Sequence, residues 1–137
     1  MAITTGIIVL SMKSIAIYKN YLAKTQLALI ANRVATDIVN LQEISLFGGD
    51  RLQYYLDVEK SGYVMRSNRA VIKRVGFAAM GCADIYFSWC SITIGFNSSG
   101  RPKSSHTLTL MHKNLSDLYY TIAVEPVTGR VVVNEKK

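Results

Sequence analysis

No proline stands between Ile7 and Phe47; the chain's two prolines are Pro102 and Pro126. Proline in a helix interior costs about 3 kcal/mol or more, so a run this long without it is open to one unbroken helix. From Tyr21 onward Leu27, Ala31, Val34, Ile38 and Leu41 recur at spacings of four, three, four and three, which draws one apolar stripe along a helix. Gln26, Asn32, Arg33, Asp37, Asn40 and Glu43 fill the other face. Gly48-Gly49, directly after Phe47, supplies the left-handed stop that ends such a helix. A helix from Ile7 to Phe47 is about 60 Å long, so in a chain of 137 residues part of it must project beyond the domain.

The projecting part is the start. MAITTGIIVL is apolar and the character runs on to Tyr18 with one charge, Lys13. That is shorter than a full membrane span of about 20 residues, and no basic segment precedes it as in a secretory signal. We therefore divide the chain into a partial hydrophobic half-helix (1–20), an amphipathic half (21–49) and a β domain (50–137).

After Asp50 the apolar period becomes two. Leu52, Tyr54, Leu56 and Val58 alternate with polar residues, Lys60-Ser61-Gly62 makes a turn, and Tyr63 to Arg66 returns as the second arm of a hairpin. A third strand is expected at Val71 to Val75. Ile85, Phe87 and Trp89 share one parity, Ile92, Ile94 and Phe96 the other, so a bulge or turn is expected near Cys90 and Ser91. Strands at Thr107 to Met111 and Leu118 to Val124 flank a polar loop from His112 to Asp117, and a last strand, Arg130 to Asn134, follows the turn Pro126 to Gly129. Trp89 and the tyrosines read as core and strand residues. The expected fold is α+β: one long N-terminal helix packed on an antiparallel β-sheet.

Length allows one core without staples. Half of the residues are hydrophobic and mean hydropathy is +0.19, high enough that some apolar surface should meet lipid or another subunit. The net charge of +7 is one-sided: residues 1–59 hold five basic and five acidic groups, residues 60–137 eleven basic and four acidic. Such an excess attracts polyanions or an acidic membrane, and it also serves as solvated surface. Cys82 and Cys90 would stand about 26 Å apart along one strand, so a disulfide between them requires a turn in GCADIYFSWC; a bridge in an exported domain and two free thiols both fit the sequence.

Several segments together resemble the type IV pilin-like proteins, in particular the GspH/FimT class of minor pseudopilins and minor pilins. Ile94-Gly95-Phe96-Asn97-Ser98-Ser99-Gly100-Arg101-Pro102, Thr107 to Leu110, Tyr120 to Val124 and Pro126-Val127-Thr128-Gly129-Arg130-Val131 are similar, in order, to that family's strand, glycine turn, strands and final Gly-Arg strand. The striped helix, the hairpin around Ser61-Gly62-Tyr63-Val64-Met65 and the start Met1-Ala2-Ile3 match the family's helix, edge hairpin and mid-membrane segment. The family's basic leader, glycine before the cleavage point and Phe-Thr-Leu-x-Glu-like start do not precede Met1. We expect Met1 to be an internal methionine of the native helix, with about a dozen or more residues upstream.

The resemblance implies a minor subunit of a type IV pilus, competence pilus or type II secretion pseudopilus. Its implied partners are other pilin or pseudopilin subunits in a hetero-oligomeric filament and the cytoplasmic (inner) membrane, and its implied location is that bacterial membrane and the extracytoplasmic filament. Ile7, Ile8, Leu10, Ile15 and Ile17 are the expected helix-packing residues, having no domain surface to cover them. Gly100 and Gly129 are expected to serve turns.

The alternative is a DNA-binding module for DNA uptake. Arg66, Arg69, Lys73 and Arg74 form a tight basic group, and Arg130, Lys136 and Lys137 match the C-terminal basic residues of DNA receptors in this class; were they to converge they would line a groove for the phosphate backbone. Catalysis draws little support, and no catalytic, cofactor or metal residues are assigned. His106 and His112 lack an acid at relay spacing, there is no nucleophile elbow or phosphate loop, and the gap between Cys82 and Cys90 is too wide for a zinc knuckle.

Overall fold

The computed structural model describes residues 2–47, 53–68, 70–89, 92–126 and 128–137, with side chains from residue 15 onward. One helix, α1, runs unbroken from Ala2 to Phe47, about 69 Å at 1.5 Å per residue. All of Leu27, Ala31, Val34, Ile38 and Leu41 are buried, joined by Ala23 and Ile30. Residues 15–22 have exposed side chains, so the domain covers α1 only from Ala23 onward. Hydroxyls inside the helix fold back on its own carbonyls: Ser45 donates to Leu41 O at 2.9 Å and so can be buried at no unpaired cost. The Gly48-Gly49 stop lies outside the described residues.

The strands form two antiparallel sheets where the pattern suggested one. The first orders β3 (Val71–Gly76), β2 (Gly62–Ser67), β1 (Tyr54–Glu59) and β5 (Ile92–Phe96). The second orders β4 (Ile85–Phe87), β6 (His106–His112), β7 (Leu115–Val124) and β8 (Val131–Lys136). The parity change after Phe87 thus coincides with a change of sheet: Ile85 and Phe87 point into the core from β4, Ile94 and Phe96 from β5 beside β1. Residues 90 and 91, where the bulge or turn was expected, lie outside the described residues. A hydrogen bond from Phe87 N–H to Lys60 O, 2.8 Å, ties β4 to the β1–β2 turn. Tyr63, Phe77 and Phe87 continue the tie inside, with ring centroids 6.3 and 5.5 Å apart.

Three local expectations need correction. Trp89 is 69% exposed, because β4 stops at Phe87 and leaves it two residues beyond the ladder. The loop expected from His112 to Asp117 is a tight turn at Lys113-Asn114; β7 already begins at Leu115, which is buried, and buried His112 accepts the Asn114 N–H on Nδ1 at 3.0 Å. Asp37, assigned to the polar helix face, is 3% exposed.

Asp37 is held by three groups from three elements. The wholly buried Tyr63 hydroxyl of β2 donates to Oδ2, Arg33 Nε of α1 lies 3.4 Å from the same oxygen, and Lys73 Nζ of β3 lies 3.4 Å from Oδ1. Burial and the adjacent carboxylate push the Tyr63 phenol far above its ordinary range, so it stays a donor. Arg33 and Lys73 are 46% and 40% exposed, so solvent screens their share. Asp37→Ala strands the Tyr63 hydroxyl and should cost about 2–4 kcal/mol in urea unfolding. Asp37→Asn keeps an acceptor for Tyr63 and should cost about half as much; equal losses would assign the effect to charge.

Candidate functional site

The two Gly-Arg loops, far apart in sequence, meet on the last turns of α1. In the first, Asn97 Oδ1 accepts the Ser99 and Arg101 N–H groups, each at 3.1 Å, and Pro102 bridges back to Phe96. In the second, Gly129 N–H reaches Glu125 O at 2.9 Å and Glu125 N–H reaches Arg130 O at 3.0 Å. Gly100 and Gly129 have φ of +75° and +69°, a conformation a Cβ penalises. Gln42 of α1 donates from Nε2 to Gly129 O at 2.7 Å. A methyl on Gly100 would stand 2.9 Å from Gln42 O and 3.1 Å from Leu46 Cγ, and one on Gly129 would stand 3.5 Å from Arg101 Cγ. Both loops therefore rest on Gln42 and on each other, and they place exposed Arg101 and Arg130 at the same end of the domain. Among the described residues neither arginine forms an ion pair.

The tighter basic group is engaged elsewhere. Arg66 pairs with Asp57 and lies 4.5 Å over the Tyr55 ring, Lys73 serves Asp37, and Arg74 Nη1 is 3.3 Å from Glu59. Burial raises the Asp57 carboxyl, yet hydrogen bonds from Arg66 and Thr93 and the Arg66 charge bring it below its ordinary value; bonding to Asp57 raises Arg66 in turn. Lys73 pairs inward with Asp37 beneath the helix, while Arg74 alternates to the opposite face of β3, so the two do not share a surface. Arg69 lies outside the described residues.

Nor do the C-terminal basic residues converge. Arg130 precedes β8 and Lys136 ends it, about 20 Å away at strand rise. Lys136 and Lys137 lie instead at the end where α1 leaves the domain. There a cleft of about 450 Å³ is lined by Asn20 and Lys24 of α1, Asn114 in the β6–β7 turn, Asp117 of β7, and Glu135 and Lys137 at the end of β8. Residue spacing carries no sign of this gathering, because it depends on two strand ends folding beside one helix turn.

The remaining reactive groups stand apart. Cys82 is a buried free thiol whose Sγ donates to Met80 O at 3.7 Å, and burial raises its pKa; Cys90 lies outside the described residues. His106 meets Ser104 Oγ at 2.9 Å, and burial lowers its pKa; His112 closes the other end of β6. Among the described residues no three His, Cys, Asp or Glu side chains gather as metal ligands. On α1, Ile15 and Ile17 are 53% and 71% exposed, and the side chains of Ile7, Ile8 and Leu10 lie outside the described set.

The glycine contacts separate two variants. Gly100→Ala meets helix backbone as well as a disfavoured φ and should lose about 2–4 kcal/mol in thermal or urea unfolding, whereas Gly129→Ala, with room for its methyl, should lose about 1–2.

No protein-family model, curated protein or solved structure matches this chain.

Proposed function

We propose that the protein is a structural subunit of a pilin-like filament, a minor pilin or pseudopilin that assembles through the uncovered half of α1 while its β domain faces outward. The observation that carries this reading is the row of large apolar side chains left in solvent before the domain begins: Ile15, Ile17, Tyr18, Tyr21 and Leu22 are all exposed. Burying such side chains is worth about 1.5–3 kcal/mol each, a strong drive toward neighbouring helices or lipid. No helix among the described residues is long and apolar enough to cross a membrane by itself.

A DNA-binding role for the same subunit draws on Arg101 and Arg130, adjacent in space and forming no ion pair among the described residues, while Arg66, Lys73 and Arg74 already have acidic partners. Phosphate contacts by these two arginines would give weak binding to duplex DNA that falls steeply with salt.

Ile15→Asp, at a site that touches no core, should leave circular dichroism and unfolding unchanged and remove the protein from filaments sheared off its source cells; Ile8→Asp should do the same. Normal incorporation of both variants, or absence of the unaltered protein from any filament, would overturn the reading. In a band-shift titration, Arg101→Gln/Arg130→Gln should weaken any DNA binding at least tenfold, with Arg66→Gln having little effect.

A further inference from the structure

We propose that the end of the domain from which α1 emerges is a membrane-surface collar that takes anionic phospholipid headgroups. The inference rests on the filament reading, since a subunit awaiting assembly must shelter its apolar helix, and it names the surface the domain then meets. Lys19 and Lys24 flank the point where α1 leaves the domain, Lys113 sits at the β6–β7 turn, and Lys136 and Lys137 end β8. All five are exposed, and among the described residues none forms an ion pair. Lys24 and Lys137 line the 450 Å³ cleft together with Asn20, Asn114, Asp117 and Glu135, so the cleft itself is balanced in charge and the positive excess lies on Lys19, Lys113 and Lys136 around it.

The carboxylates at this end do not cancel the lysines. Asp117 accepts the Ser116 hydroxyl at 3.5 Å and Glu135 that of Tyr120 at 3.4 Å. Asp84, whose carbonyl takes the Lys113 N–H at 2.9 Å, is the third acid nearby. Among the described side chains, five lysines against three carboxylates leave two net positive charges at the helix exit.

A cluster of ammonium groups beside an emerging apolar helix matches one kind of partner in both chemistry and shape. A planar surface with phosphate outside and hydrocarbon beneath meets the lysines and the helix together, and long lysine stems can reach headgroups from a helix that dips into the acyl layer. A nucleic acid offers phosphate but nothing to cover Ile15, Ile17 and Tyr18.

The test is co-sedimentation of the full chain with vesicles of phosphatidylcholine alone and of phosphatidylcholine mixed with phosphatidylglycerol, at low and physiological salt. Each lysine near an anionic surface contributes roughly fivefold to partitioning, so the anionic vesicles should bind the protein at least about tenfold better, and salt should narrow the gap. Lys24→Gln/Lys136→Gln/Lys137→Gln, all surface changes, should remove most of that preference while leaving binding to neutral vesicles intact. Arg101→Gln/Arg130→Gln, at the opposite end, should keep it. Equal binding of the unaltered protein to both vesicles, an undiminished preference in the lysine variant, or displacement by short duplex DNA at equal phosphate would overturn the collar. Neutral-vesicle binding reports the helix alone, so loss of the collar is distinguishable from failure of the filament reading, which would show as absence from filaments with the vesicle preference intact.

Discussion

Asp37 is the one buried carboxylate among the described residues, and it joins the helix to a sheet the helix otherwise barely meets. α1 packs chiefly on β7, β8 and β6 of the second sheet and touches the first mainly at β1. Tyr63 of β2 and Lys73 of β3 reach across to Asp37 and anchor the far strands of the first sheet to the same helix. A buried charge is expensive unless its oxygens are satisfied, and here each oxygen has a donor. The arrangement therefore penalises any other rotation of α1: turning the helix by one residue would carry Asp37 off Tyr63 and leave both unpaired in a dry interior.

With rotation set at Asp37, the helix is gripped again near its end. The Gly100 and Gly129 loops close on Gln42, one by backbone proximity and the other by a hydrogen bond to its side chain. This second grip explains why two loops so distant in sequence both carry a residue with positive φ at the point of contact: each backbone turns sharply where it meets the helix or the other loop. A consequence is a domain with two chemically different ends. Guanidinium groups with no acidic partner among the described residues stand at the loop end, ammonium groups at the end where α1 leaves. Most of the other arginines serve as fixed partners of carboxylates, a role their planar fork suits better than lysine's point charge.

Much of this was legible in the sequence where one periodicity ran long enough. The stripe from Leu27 to Leu41 and the alternation of Tyr54, Leu56 and Val58 both match the buried faces, because α1 and β1 each meet the core along their whole covered length. Asp37 was misplaced because a hydropathy pattern treats any carboxylate as outward; its burial depends on Tyr63 and Lys73, residues 26 and 36 positions away. The division into two sheets was hidden for a related reason. A parity change between Phe87 and Ile92 looks the same whether a strand bulges or the chain crosses to another sheet, and only pairing of β5 with β1 and of β4 with β6 distinguishes them. Basic residues close in sequence were separated by strand alternation and prior pairing, while lysines scattered from 19 to 137 gathered at one end because helix exit and strand ends lie there.

The uncovered half of α1 is the least self-sufficient part of the molecule. Helix hydrogen bonds alone hold a segment this short marginally in water, and in folded proteins most helical stability comes from packing one face against something. Residues 15–22 all have exposed side chains, yet they continue a helix whose register is already set at Asp37 and Gln42. Propagation from a formed helix avoids the cost of nucleation, so the domain acts as the template that keeps the exposed turns helical. Those turns then present Ile15, Tyr18 and Leu22 in a fixed row, at spacings of three and four along one face. A partner helix can pack on such a row without first ordering it, which removes part of the entropic cost of association. Under the filament reading, the buried carboxylate and the paired loops of the β domain are what make its projecting helix ready to assemble.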